Sequence, residues 1–184
     1  MKITNLLPIL FLFLSFIGFA QKNNFPKNSF KYGYATTYLK TGDYIGKLQY
    51  LEFNRSIFKP LSIGFIGSRT KANKFLQNGF EQKTLAFQGD ANLYLHPINN
   101  SVNSLKLGGG VIFRKMDYSF RVPPADSIDV PWQTNTSEQI GFSASLEYEV
   151  FVAKHIILGS KAAFQQFENK DRVYYWGLNL GVRF

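Results

Sequence analysis

The chain has 184 residues, of which 45% are hydrophobic, 17% aromatic and 18% charged, with a formal net charge of +9. That length fits one domain with an enclosed interior; the composition excludes disorder and leaves too little apolar material for a helical membrane protein. The lack of cysteine removes disulfides, thiolate metal sites, cysteine acylation and cysteine nucleophiles together, while nineteen Phe and ten Tyr favour strands.

Residues 1–20 read as an export signal. Lys2 supplies the positive charge, Leu6 to Phe19 the apolar stretch, and Gly18-Phe19-Ala20 before Gln21 a small-x-small cleavage site. The run is shorter than the roughly 20 residues of a spanning helix and contains Pro8. The expectation is cleavage after Ala20, a short periplasmic segment 21–28 and a folded domain 29–184. Removing the signal takes away one lysine and no acid, leaving +8. Lys71, Lys74 and Lys83 flank one polar segment, while Lys106, Arg114, Lys161 and Arg183 sit singly in apolar runs. Scattered charge on an exported chain points away from nucleic acid and towards an anionic envelope polymer such as lipopolysaccharide.

Period-two alternation then runs to the last residue. Breakers between periodic segments predict strands at 29–38, 46–57, 61–70, 83–95, 104–118, 138–152, 156–167 and 173–184. In the second, Leu51, Phe53 and Ile57 share a face with Arg55, which calls for a bulge or a rim position. In the fourth, Leu85, Phe87, Gly89, Ala91, Leu93 and Leu95 alternate with Ala86, Gln88, Asp90, Asn92 and Tyr94. The sixth sets Ile140, Phe142, Ala144, Leu146, Tyr148, Val150 and Val152 against Gly141, Ser143, Ser145, Glu147, Glu149 and Phe151, and the eighth sets Tyr174, Trp176, Leu178, Leu180, Val182 and Phe184 against Tyr175, Gly177, Asn179, Gly181 and Arg183. A helix would scramble these faces.

The predicted connectors alternate in length, short at 58–60, 96–103 and 153–155 and longer around 70–82 and 119–137. Greasy faces of about ten residues are long enough to cross hydrocarbon when tilted, and a bilayer admits only sheets without edges. The fold class is therefore all-β: an eight-stranded antiparallel up-and-down transmembrane β-barrel. Tyr32, Tyr34, Tyr38, Tyr94, Tyr118, Tyr148, Tyr174 and Trp176 lie at strand ends or outward positions, where interfacial girdles belong. A lipocalin-like soluble barrel has the same alternation with the faces exchanged; the small residues of the polar face and the terminal Phe184 favour the membrane form.

With these features the chain resembles the small outer-membrane β-barrel proteins of Gram-negative bacteria over nearly all of its mature length. The signal ending, the alternating hairpins and the terminal Gly177-Leu178-Asn179-Leu180-Gly181-Val182-Arg183-Phe184 carry the resemblance. It implies an outer-membrane location, insertion by the barrel assembly machinery with Phe184 as part of the insertion signal, and contact with outer-membrane lipid and lipopolysaccharide. The expected state is a monomer. Members include anchors, adhesins, porin-like channels and lipid-modifying enzymes, so the resemblance does not choose a function.

Closing the barrel would gather Lys31, Glu52, Asp90, Lys106, Arg114, Glu147, Glu149, Lys161 and Arg183 in one lumen, where eight strands leave room for side chains alone and the charges should pair and plug it. His96 and His155 fall at predicted turns, and Ser62 and Ser160 lie near turns without a triad's spacing. Gly108-Gly109-Gly110 lacks a following Gly-Lys-Ser/Thr and suits close packing or curvature better than phosphate binding. The loop from Arg121 to Thr136 carries Asp126 and Asp129 without calcium-loop spacing, and Trp132 as a candidate for partner contact. The expectation is a non-catalytic structural or surface-interaction barrel without metal or cofactor. A small channel is the alternative, and an envelope enzyme comes third.

Overall fold

The computed structural model describes residues 27–40, 44–75, 81–121 and 132–184. The signal segment 1–20, residues 21–26 and the acidic loop positions Asp126 and Asp129 lie outside them. The described residues form eight strands, β1 (Asn28–Leu39), β2 (Tyr44–Phe58), β3 (Leu61–Phe75), β4 (Glu81–Asn99), β5 (Asn103–Arg121), β6 (Gln133–Phe151), β7 (Ile156–Phe167) and β8 (Arg172–Arg183). Each pairs antiparallel with the next, and β1 closes on β8 from Ser29↔Arg183 to Leu39↔Val173. Closure removes both sheet edges and gives every spanning strand a partner on each side, which a bilayer cannot supply.

Alternation sets the two surfaces. In β1, Phe30, Tyr32, Tyr34 and Tyr38 are exposed on the outside, while Ser29, Lys31, Ala35, Thr37 and Leu39 are buried inside. In β8, Tyr174, Trp176, Leu178, Leu180 and Val182 face out, and Val173, Tyr175 and Asn179 face in. The result is a belt of exposed Phe, Leu, Ile, Val and Tyr around a largely polar interior, the arrangement of a bilayer-facing barrel. Both described ends of the chain meet at the end that carries the connections 59–60, 100–102 and 152–155. At the opposite end lie the facing strand ends Leu39 and Tyr44, Phe75 and Glu81, and Arg121 and Gln133, together with the turn 168–171.

At that second end β3 to β6 run further than the alternation predicts. Thr70 to Phe75 continue to pair with Glu81 to Ala86, and Ser119 to Arg121 with Glu81 to Lys83. These stretches carry polar residues on both faces, so the ladder persists where the hydrophobic period has already stopped. At the other end, the expected connector 96–103 shrinks to a turn at Asn100, whose Oδ1 accepts hydrogen bonds from the backbone N–H groups of Val102 and Asn103, each at 2.8 Å. β4 runs through His96 and Pro97 because the register shifts between Leu95 and Ile98; a bulge is where a residue without N–H can sit in a strand. A second shift lies between Ser56 and Phe58, next to the outward Arg55.

Two of the girdle aromatics point the other way. Tyr94 is fully buried in the lumen and Tyr118 packs against the interior cluster at the loop end. Strand parity decides this: Tyr94 alternates with the outward Leu93 and Leu95, and residue type cannot override that geometry.

Candidate functional site

The lumen is layered. Nearest the chain termini lies a charge cluster built by β1, β2, β5, β6 and β7. Lys31 Nζ donates to Glu147 Oε1 at 2.5 Å and Glu149 Oε1 at 2.9 Å, and stands 3.2 Å from Glu52 Oε1. Lys161 Nζ donates to Glu52 Oε2 at 2.7 Å and to the Tyr94 hydroxyl at 2.9 Å. Lys106 Nζ donates to Glu149 Oε1 at 2.6 Å. Three lysines thus share three glutamates, all buried, and amides complete the set: Asn179 Nδ2 donates to Glu147 Oε1 at 2.8 Å and Asn54 Nδ2 to Glu52 Oε1 at 2.9 Å. Burying so many charges is tolerable only because each ion has partners of opposite sign.

The glycines of these strands make room for two lumenal tyrosines. A Cβ on Gly33 would lie 2.0 Å from Tyr50 Cζ, and one on Gly64 or Gly108 would lie 2.5 Å from the Tyr94 ring. The two rings lie on the bare wall, with Lys161 Nζ 5.1 Å from the Tyr94 centroid and 5.7 Å from that of Tyr50. For Gly108, close packing is the observed role. Above the charges sit Ala35, Leu48, Tyr50, Ile66, Ala163 and Tyr175, and nearer the loop end Leu39, Ala72, Ala86, Ile112, Met116, Phe167 and Val173. Arg114 enters this last layer, donating to Asp171 and Gln139, its guanidinium 3.6 Å from the Phe167 ring centroid.

The nine charged residues named from the sequence therefore separate into groups. Lys31, Glu52, Lys106, Glu147, Glu149 and Lys161 meet in one cluster. Arg114 pairs apart from them, with an acid from the β7–β8 turn. Asp90 is lumenal but belongs to an amide chain, its Oδ2 accepting from Gln165 Nε2 at 3.4 Å while Gln165 Oε1 accepts from Gln88 Nε2 at 3.0 Å. Arg183 is not in the lumen. At the end of β8 the strand runs out at the rim, and its Nε donates to the Lys154 carbonyl at 2.8 Å with the guanidinium over Phe151.

His96 is a further correction. It is half-buried rather than a surface turn residue, with Nε2 2.7 Å from Ser62 Oγ and Nδ1 3.2 Å from Ser104 Oγ. The imidazole keeps the inward parity of Asn92 and Tyr94 and lies between β3 and β5; the predicted strand ends one residue short of it, at Leu95. A serine takes the place of the carboxylate that would orient a catalytic histidine, so the cluster lacks a triad's third member. His155 is exposed and bonds the Arg183 carbonyl. Among the described residues no three metal-ligating side chains gather.

Trp132, expected in an open loop, is half-buried at the start of β6, with Lys83 Nζ 4.1 Å and the Arg121 guanidinium 5.3 Å from its ring centroid. Phe184 is exposed, and its backbone exchanges two 2.9 Å hydrogen bonds with Asn28 across the β1–β8 seam.

A closed eight-stranded meander with an apolar outside and a paired polar inside decides the architecture. The fold is that of the small eight-stranded outer-membrane β-barrels. The attachment invasion locus protein Ail of Yersinia pestis, solved in complex with the heparin analogue sucrose octasulfate, superposes with a TM-score of 0.63 at 13% identity, over 87% of this chain and 99% of that one. Neisserial surface protein A gives 0.59 at 13%, over 85% and 96%. A major outer membrane protein from Thermus thermophilus gives 0.61 at 11%, over 85% and 99%. No family model matches the sequence, and neither does any curated protein.

Proposed function

We propose that this protein is a non-catalytic structural and surface-interaction barrel of the Gram-negative outer membrane, with a lumen closed to ions and the 40–43, 76–80, 122–132 and 168–171 connections outside the cell. The observation that carries the reading is the cluster of Lys31, Lys106 and Lys161 with Glu52, Glu147 and Glu149, whose members are bound to one another across the lumen. A conducting path needs sites that an ion can enter and leave; here the charges neutralise each other and occupy the space.

The export signal ends at Ala20, assembly machinery reads Phe184, and the mature barrel is a monomer. Its outward surface supports lipopolysaccharide as a neighbour. Lys40, Lys47, Arg69, Lys71, Lys83 and Lys115 are exposed towards the loop end, at the depth where a phosphorylated outer leaflet presents its charge.

Planar-bilayer recording of the purified mature protein tests the closed lumen. The expected trace has no sustained open-channel current. Steady, reproducible conductance steps would replace this reading by that of a small channel, with the same lysines and glutamates as its lining.

A further inference from the structure

The outer face of the barrel is uneven. Around β3 to β5, Gly67 and Gly89 lie opposite each other with their missing side chains towards the outside, and a Cβ on either would meet nothing within 4 Å. They form the floor of an open groove of about 520 Å³, walled by Phe65, Val111, Phe113 and Ile140. Strand pairing fixes what lies above. One rung towards the loop end the outward row reads Gln49, Arg69, Phe87 and Lys115, and the next reads Lys47, Lys71, Leu85 and Asp117, whose carboxylate accepts from Thr136 Oγ1 at 2.7 Å on the far side from the lysines. Lys47, Arg69 and Lys71 are exposed and have no carboxylate partner among the described residues, whereas Lys115 has Glu138 at 3.6 Å. The Arg69 guanidinium lies 5.6 Å from the Phe87 ring centroid, held over the apolar belt.

An apolar trough two to four residues below a cation cluster spans about 7 to 14 Å along the strand, the separation between the chains of a lipid and its headgroup. Lys47 and Lys71 are direct cross-strand neighbours, an arrangement that repels unless an anion lies between them. We propose that this groove and the Lys47–Arg69–Lys71 cluster form a binding site for one phosphorylated lipid of the outer leaflet, with an acyl chain along Gly67 and Gly89 and headgroup phosphate on the three cations. The proposal rests on the outer-membrane reading above and gives its lipopolysaccharide contact a location. Charge complementarity selects the occupant: a zwitterionic lipid would leave the cluster uncompensated.

The test uses the full mature chain in phosphatidylcholine nanodiscs that contain a small fraction of lipid A, either bisphosphorylated or stripped of phosphate, with co-retained lipid counted by native mass spectrometry. At about fivefold per cation, wild type should prefer the phosphorylated form by about a hundredfold. K47Q/R69Q/K71Q should lose that preference, and G67F/G89F, which fills the groove, should retain less of either form. Heat-modifiable gel mobility confirms folding, and the single substitutions serve where a multiple variant does not fold. Inorganic phosphate should not compete; if it does, the ligand is a free anion and the lipid site is wrong. Folded variants that retain lipid A like wild type overturn this site while leaving the wider contact intact. A wild type without preference overturns the lipopolysaccharide contact itself, and this site with it.

Discussion

Near the chain termini the lumen holds three lysines against three glutamates, whereas at the loop end it is filled by Leu39, Ile112, Met116, Phe167 and Val173 around the Arg114–Asp171 pair. Both halves close the barrel, but they fail in different ways. An apolar layer depends on volume and tolerates any side chain of similar size and shape. An ionic layer depends on count: Lys31 leans on three carboxylates at once, so losing one acceptor exposes several partners. Such a cluster adds little net stability over apolar packing and yet is costly to break.

The sharpest way to separate the halves is to neutralise the acids alone. E147Q/E149Q leaves Lys31 and Lys106 with most of their negative partners gone, and the expected loss of stability is about 3–5 kcal/mol, read as a lowered urea midpoint of the refolded barrel. Adding K31M should recover part of it. A loss as small as that of an ordinary surface substitution would mean that water compensates these charges and that the two halves do not differ in kind.

In the apolar half, M116A removes a fully buried side chain and should cost about 2–3 kcal/mol in the same measurement, while Met116→Leu should be nearly neutral. If Met116→Leu cost as much as the truncation, this layer would need shape as strictly as the other needs charge. The smallest effect belongs to the floor of the lumen, where H96A deletes the bonds to Ser62 and Ser104. It should cost about 1–2 kcal/mol without changing the envelope lipids on mass analysis; an altered lipid profile would reopen the enzymatic reading of the Ser62–His96 pair.

How far the chain can be read without coordinates differs by residue. The inward direction of Glu147, Glu149 and Lys106 follows from parity, because each lies between outward apolar neighbours; Lys161, between Ser160 and Ala162, follows it through the more distant Leu158 and Phe164. Tyr94 was legible by the same rule, since it alternates with Leu93 and Leu95; its residue type suggested a membrane girdle and parity placed it inside. His96 has the same inward parity two residues on, but it was hidden because the hydrophobic alternation stops at Leu95 and Pro97 follows, so the pattern predicts a strand that ends before it. Arg183 has the right parity for the lumen, but the strand ends there and its guanidinium reaches the rim. The cation cluster outside was hidden for another reason. Lys47, Arg69 and Lys71 belong to strands whose relative register no single segment states.

The sequence by itself determined the strands, their two faces and the closed transmembrane architecture, because a period of two is a local property of the chain and a bilayer leaves an apolar-faced sheet no other way to satisfy its backbone. Only the tertiary structure decided which lumenal charges meet. Lys31 reaches Glu147 and Glu149 from 116 and 118 residues away, and Asp90 and Arg183 stand outside the cluster, because contacts across a barrel depend on the stagger with which its strands close.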